Sequence, residues 1–181
     1  MLAVSSADLR LPPSADGFAW WYCDVIDPVS GDGLVVVGSV GLPFVPRRSG
    51  RREPAIERPS LSISAYRGGR EHFYLLAAGC RDDSYWDAAR GHFRIGASEL
   101  RIDRDGRELR FRADLDAPLP GRGRLRGVVE LGGTSCEGAV GALGDAAAHA
   151  WSPLATACDA RAVLQLGDAG RFDLHGRGYL D

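Results

Sequence analysis

The chain has no lysine and no asparagine, and all 22 of its basic residues are arginine. That bias fits a GC-rich coding sequence and carries no functional message. Arginine does not dominate the charge either: 24 acidic residues leave a net charge of -2. A basic footprint for nucleic acid is therefore missing, and nucleic acid is not an expected partner. No run of about eighteen apolar residues occurs, so no helix is expected to span a membrane. The first ten residues lack a basic start and a long apolar stretch, so no signal peptide is expected and the chain reads as cytoplasmic.

Cysteine is scarce and scattered: Cys23, Cys80, Cys136 and Cys158. Without a C-x-x-C pair, zinc ligation is not expected, and a disulfide framework does not suit a cytosolic chain of this size. The four are expected to be buried free thiols. Catalytic signatures are missing too. There is no H-E-x-x-H, no serine nucleophile elbow, no G-x-G-x-x-G after a strand and no phosphate loop. Most hydrolase, kinase and dehydrogenase chemistries fall away with them.

Helical periodicity is confined to residues 141–148, a short Ala-rich stretch. Strand patterns fill the rest. Residues 17–25 are dense in aromatics, 34–40 form an apolar run, and 61–66 and 72–78 flank a turn at 67–70. Further strands are expected at 92–95, 100–103, 109–115, 125–131, 149–157, 161–166 and 171–179. Short strands separated by turn signals every eight to twelve residues predict an all-β sandwich or barrel. Asp103-Arg104-Asp105-Gly106-Arg107 is a hairpin turn. Around it, Leu100, Ile102, Leu109, Phe111 and Ala113 alternate with charged residues, the pattern of a sheet with one wet face. Arg101, Arg110, Arg112, Arg124 and Arg126 then belong to a solvated outer face, not a basic patch. Residues 82–87, with three aspartates, read as a solvated loop anchored by Tyr85 and Trp86.

The Gly- and Ala-rich stretch from 132 to 148 reads as a connection. It divides the chain into a β-barrel domain at 1–135 and, at 136–181, a linker with the first strands of a second, incomplete β unit. Three strands cannot bury a core alone. They either complete the first barrel or begin a domain cut short. The segment 45–54, with four arginines and two prolines, is a loop. It is either plainly exposed or a contact to anionic lipid headgroups.

Two segments could carry chemistry. In a strand, alternation puts Phe18, Trp20 and Tyr22 on one face and Trp21 and Cys23 on the other. These rings are either a core strand buried on both sides or the wall of a ligand cavity, where a ring face can hold a cation. The same alternation puts His149 with Trp151, and Tyr179 with Asp181. An imidazole, a carboxyl and aromatic rings around an apolar space suit chemistry that makes and shelters a carbocation. From spacing alone, an ordinary strand tyrosine beside the last residue is the leading account.

Four short motifs occur in order: Trp20-Trp21-Tyr22-Cys23-Asp24, Gly38-x-x-Gly41-Leu-Pro43-Phe44-x-Pro46, His149-Ala-Trp151-Ser-Pro153-Leu-Ala and Gly176-Arg-Gly178-Tyr179-Leu-Asp181. Together they resemble the carotenoid 1,2-hydratase (hydroxyneurosporene synthase) family. The resemblance implies a lipocalin-like fold of antiparallel strands, in a family with two consecutive β units. It implies addition of water to the terminal C=C of acyclic carotenoids such as neurosporene and lycopene, with no cofactor, no metal and no redox step. Asp181 would be the acid that protonates C2, kept protonated by an apolar site. Trp151 and Tyr179 would stabilise the cation, and His149 would orient Asp181 or the attacking water. Trp20, Trp21, Tyr22 and Phe44 would line the substrate cavity. The family's chain is longer, and its last motif continues past the aspartate with Asn and Gly. The resemblance thus implies an N-terminal portion or a split gene product, with a C-terminal partner domain or chain. It also implies peripheral contact with an inner or photosynthetic membrane, since the polyene is insoluble in water. The alternatives are a non-catalytic lipocalin-like binder of an apolar isoprenoid or polyketide, and a lipocalin-like cyclase of natural-product biosynthesis.

Overall fold

The computed structural model describes residues 18–41, 57–136, 141–142 and 150–181. Described residues fall into strands and short 3-10 turns, with no α-helix among them. The first half holds β1 (Ala19–Ile26), β2 (Gly33–Val40), β3 (Pro59–Arg67), β4 (Arg70–Ala78), β5 (Ser84–Asp87) and β6 (His92–Ile95). A long meander follows in β7 (Ser98–Asp105), β8 (Glu108–Leu119) and β9 (Gly123–Thr134). Two short strands, β10 (Gly141–Ala142) and β11 (Ala150–Trp151), pair with each other alone. The chain closes with β12 (Ala155–Leu166) and β13 (Arg171–Leu180).

Eleven strands form one antiparallel sheet in the order β4-β3-β2-β1-β13-β12-β9-β8-β7-β6-β5. The sheet curls into a half-barrel, consistent with a lipocalin-like barrel. The all-β expectation is met, and most predicted strands coincide with observed ones. The strands expected at 149–157 and 161–166 are instead the short β11 and one continuous β12, and Gly141–Ala142, read as the start of a helical stretch, is a strand. The hairpin expected near residue 106 joins β7 to β8, with Gly106 at φ +60°, a conformation that favours glycine. The strands assigned from sequence to a second unit lie inside this same sheet. β12 pairs with β9, and β13 lies between β12 and β1.

Curling brings the two halves of the sheet face to face. Gly38 of β2 shows how closely: a Cβ there would stand 2.8 Å from the Phe93 ring and 2.9 Å from Leu100. Trp21 (1% exposed) packs at a tilt on Trp86 with ring centroids 4.8 Å apart, and Trp86 meets Phe93 edge-on at 5.1 Å. Phe111 and Phe172 complete the set of large buried rings. Burying each such side chain is worth roughly 1.5–3 kcal/mol. The segment 82–87 departs from its expected loop. Residues 81–83 form a 3-10 turn, but Ser84–Asp87 is a strand paired with β6. The acidic run suggested solvent, yet Trp86 is drawn onto Trp21, and that burial outweighs the charge of its neighbours.

The outer surface has two characters. Across β7, β8 and β9 it is charged. Arg112 bonds both Asp114 and Glu130, Arg124 bonds Asp116, and Arg101 bonds Glu99. Glu99 also pairs with His92. Across β2 to β4 the outer face is mostly uncharged. Val37, Ser62 and Leu76 lie in one cross-strand row, and Val35, Ser64 and Tyr74 in the next. Tyr74 is 56% exposed and Leu76 40%.

The cysteines only partly follow the sequence reading. All four are free, and Cys23 and Cys158 are buried, but Cys80 is exposed and Cys136 half-buried. Cys80 sits at the 3-10 turn after β4, where its thiol donates to Asp83 at 3.3 Å. It is a turn residue and points away from the core. Among the described residues, no helix is long and apolar enough to cross a membrane.

Candidate active site

β1 and β13 run antiparallel with Asp24 opposite Tyr179. One step along, Tyr22 and Asp181 exchange backbone hydrogen bonds at 2.8 and 2.9 Å. Side chains alternate along each strand. Trp21, Cys23 and Val25 face the core, as does Leu180 across from Cys23. Tyr22 and Asp24, Tyr179 and Asp181 therefore share the opposite face, and all four are half-buried. The result is a two-by-two array in which each tyrosine has a carboxyl beside it and a carboxyl across from it.

Hydrogen bonds follow the strands. The Tyr22 hydroxyl donates to Asp24 Oδ2 at 3.2 Å, and the Tyr179 hydroxyl donates to Asp181 Oδ2 at 2.9 Å. The two rings meet edge to face, 6.1 Å apart. Burial pushes the Tyr22 phenol well above its ordinary value, and the Asp24 charge adds to this. Tyr22 is thus a neutral hydrogen-bond donor throughout the physiological range. Burial also raises Asp24, in spite of the hydrogen bond from Tyr22, and the nearby charge of Asp181 pushes the same way. Burial holds the Cys23 thiol up and keeps it protonated.

A third tyrosine–carboxyl pair shows what burial does. In β5 the Tyr85 hydroxyl donates to Asp87 at 3.0 Å, with the same two-residue spacing. Tyr85 is 40% exposed, and Arg90 lies 3.6 Å from Asp87. There the phenol hydrogen bond dominates and Asp87 falls below its ordinary value. The same local motif gives opposite shifts because desolvation is the largest influence on Asp24, whereas at Asp87 the phenol hydrogen bond outweighs it, aided by Arg90.

The structure gathers Tyr179, Asp181 and Tyr22 from the sequence-predicted set. Trp20 shares their face of β1 and packs against Phe18, just before that strand, with ring centroids 5.0 Å apart. Trp21 sits in the core on Trp86. Trp151 lies in β11, whose side chains are outside the description, and His149 and Phe44 lie outside the described residues. Asp24 was not singled out as a functional residue from the sequence. The signal was present: Tyr-x-Asp occurs at 22–24 as it does at 179–181. Among the described residues, no group of three His, Cys, Asp or Glu is placed to hold a metal ion.

A phenol-held carboxyl on a half-buried face, beside two edge-to-face rings, can deliver a proton and shelter the cation that results. The family model for carotenoid hydratase CrtC matches residues 34–181. The match begins in β2 and runs through Tyr179 and Asp181, so Tyr22 and Asp24 of β1 lie before it. No curated protein and no solved structure matches the chain.

Proposed function

Because the chain belongs to the carotenoid hydratase CrtC family, we propose that it adds water to the terminal C=C of an acyclic carotenoid such as neurosporene or lycopene. The observation that carries this reading is the Tyr179–Asp181 hydrogen bond set beside the Tyr22 ring. Asp181 gives a proton to C2 of the isoprenoid end, and the positive charge appears at the tertiary C1. Water then attacks C1, forms the C–O bond and loses a proton. The π faces of Tyr22 and Tyr179 stabilise the cation by roughly 0.5–2 kcal/mol per ring, more where water is excluded. Trp151 adds to this, and His149 orients the carboxyl or the water. The reaction draws on no cofactor.

The neighbouring outer face supports the substrate class. From Tyr22 and Asp24, the rows through Val37 and Val35 lead to Leu76 and Tyr74. A long apolar chain finds uncharged surface there, with only serine hydroxyls between the larger side chains. The substrate reaches this face from a membrane surface.

The test is anaerobic incubation of the chain with lycopene or neurosporene in liposomes, followed by mass analysis for the gain of one water. A hydrated product that disappears in Asp181→Asn supports the reading. Quenching of tryptophan fluorescence without product would replace it with an apolar binder.

A further inference from the structure

Hydration needs a proton delivered to one carbon and a proton removed from the water that attacks the other. The site holds two carboxyls that could divide this work. Across the antiparallel ladder, Tyr22–Asp24 and Tyr179–Asp181 are near-equivalent halves: the same spacing, the same phenol-to-carboxyl hydrogen bond, the same half-buried face. Asp24 and Asp181 stand on the diagonal of the array. Diagonal neighbours in a sheet lie roughly 7–8 Å apart, and somewhat less at their Cβ atoms. Carboxyl groups reaching out from such positions can flank a water molecule and a reacting double bond.

We propose that Asp24 is the second acid–base residue of the site, taking the proton from the attacking water while Asp181 supplies the proton that starts the reaction. The proposal rests on the hydratase reading. In atoms, the Asp181 O–H bond breaks and the C2–H bond forms with the π electron pair. The water oxygen then forms the C1–O bond, and its O–H bond breaks toward the Asp24 carboxylate. One turnover leaves Asp181 ionised and Asp24 protonated. The proton returns along the array or through solvent, so the enzyme ends unchanged.

The surroundings fit a carboxyl that exchanges protons. Tyr22 and Cys23 accompany Asp24 on β1, and Tyr179 and Asp181 face it from β13. Arg177 lies further along β13, opposite Ile26, and its guanidinium is bound to Asp159 at 2.7 Å. From β2 come only Val35 and Val37. Asp24 thus sits among phenols and a second carboxyl, whereas Asp87 has an arginine beside it. Burial raises its affinity for a proton above that of an ordinary aspartate, which favours a group that must accept one.

Two measurements on the full chain test this. The first is turnover in deuterium oxide with liposomal lycopene. Asp24→Asn is expected to hydrate about a hundred- to ten-thousandfold more slowly. Its recovered starting carotenoid should carry deuterium, because Asp181 still protonates C2 and the uncaptured cation reverts. Asp181→Asn should give neither hydration nor exchange. Wild-type hydration by Asp24→Asn would overturn the proposal, as would slow hydration without deuterium exchange. The second is a carbon-13 titration of labelled aspartate carboxyls. Removing either carboxyl should lower the midpoint of the other. If the wild type hydrates nothing, the hydratase reading fails by itself. Where the wild type does hydrate, a midpoint shift supports the proposal, and an unmoved midpoint overturns it alone.

Discussion

Tyr22 and Asp181 hold each other by their backbones, N–H to carbonyl in both directions, at 2.8 and 2.9 Å. This pairing fixes the candidate acid to the first strand of the sheet. It also sets the register that places Asp24 opposite Tyr179.

Tyr179→Phe tests the hydrogen bond that holds Asp181 while keeping the ring. A hydrogen bond to a charged group is worth about 1.5–3 kcal/mol. If it acts only in the reaction, hydration should slow roughly ten- to a hundredfold. The thermal midpoint should hardly move. Rates from product analysis and a melting curve on the same sample check both expectations.

Asp24 gives a pH signature in stability. Its folded value is raised, chiefly by burial. The folded state therefore keeps the Asp24 proton after the unfolded chain has released it. As pH rises through the unfolded aspartate range toward the folded value, the wild type loses stability from this group, and the loss is constant above. Asp24→Asn lacks that loss. Its stability relative to wild type should be higher at about pH 7 than at about pH 3, as read from urea midpoints at the two values.

The core is tight where β2 faces β6 and β7. Gly38→Val places carbon where Phe93 and Leu100 already stand. Such overpacking costs about 1–3 kcal/mol. Phe93→Ala creates a cavity in its place and should cost about 3–5 kcal/mol. Combined with Gly38→Val, the smaller residue at 93 should recover part of the loss, since the two sites share one space. Urea unfolding of the two single variants and the double variant tests the coupling.

The charged outer face should matter far less. Arg112 binds Asp114 and Glu130, but its side chain is 48% exposed. Arg112→Ala should cost at most about 1 kcal/mol, and less in high salt. Chemical unfolding at low and high ionic strength checks this.

Much of the fold was legible in the chain because strand alternation is local. Leu100, Ile102, Leu109, Phe111 and Ala113 face inward, and the arginines between them face outward, as their order requires. The same rule put Tyr179 and Asp181 on one face. It failed at residues 84–87, where acidic neighbours masked a strand whose Trp86 finds a distant partner. It also left Asp24 unnoticed, since its importance comes from facing Tyr179 across the ladder.

The sequence by itself determined the strand class, the hairpin turn at Gly106, the inward and outward residues of the meander and the tyrosine–carboxyl spacing. Each of these depends on bond geometry and solvation within a few residues. Tertiary structure alone decided that β13 enters the sheet between β12 and β1, bringing the two tyrosine–carboxyl pairs together. Backbone hydrogen bonds between strands far apart in the chain are chemically alike at every register. Only the curl of the whole sheet and the packing of its core select one.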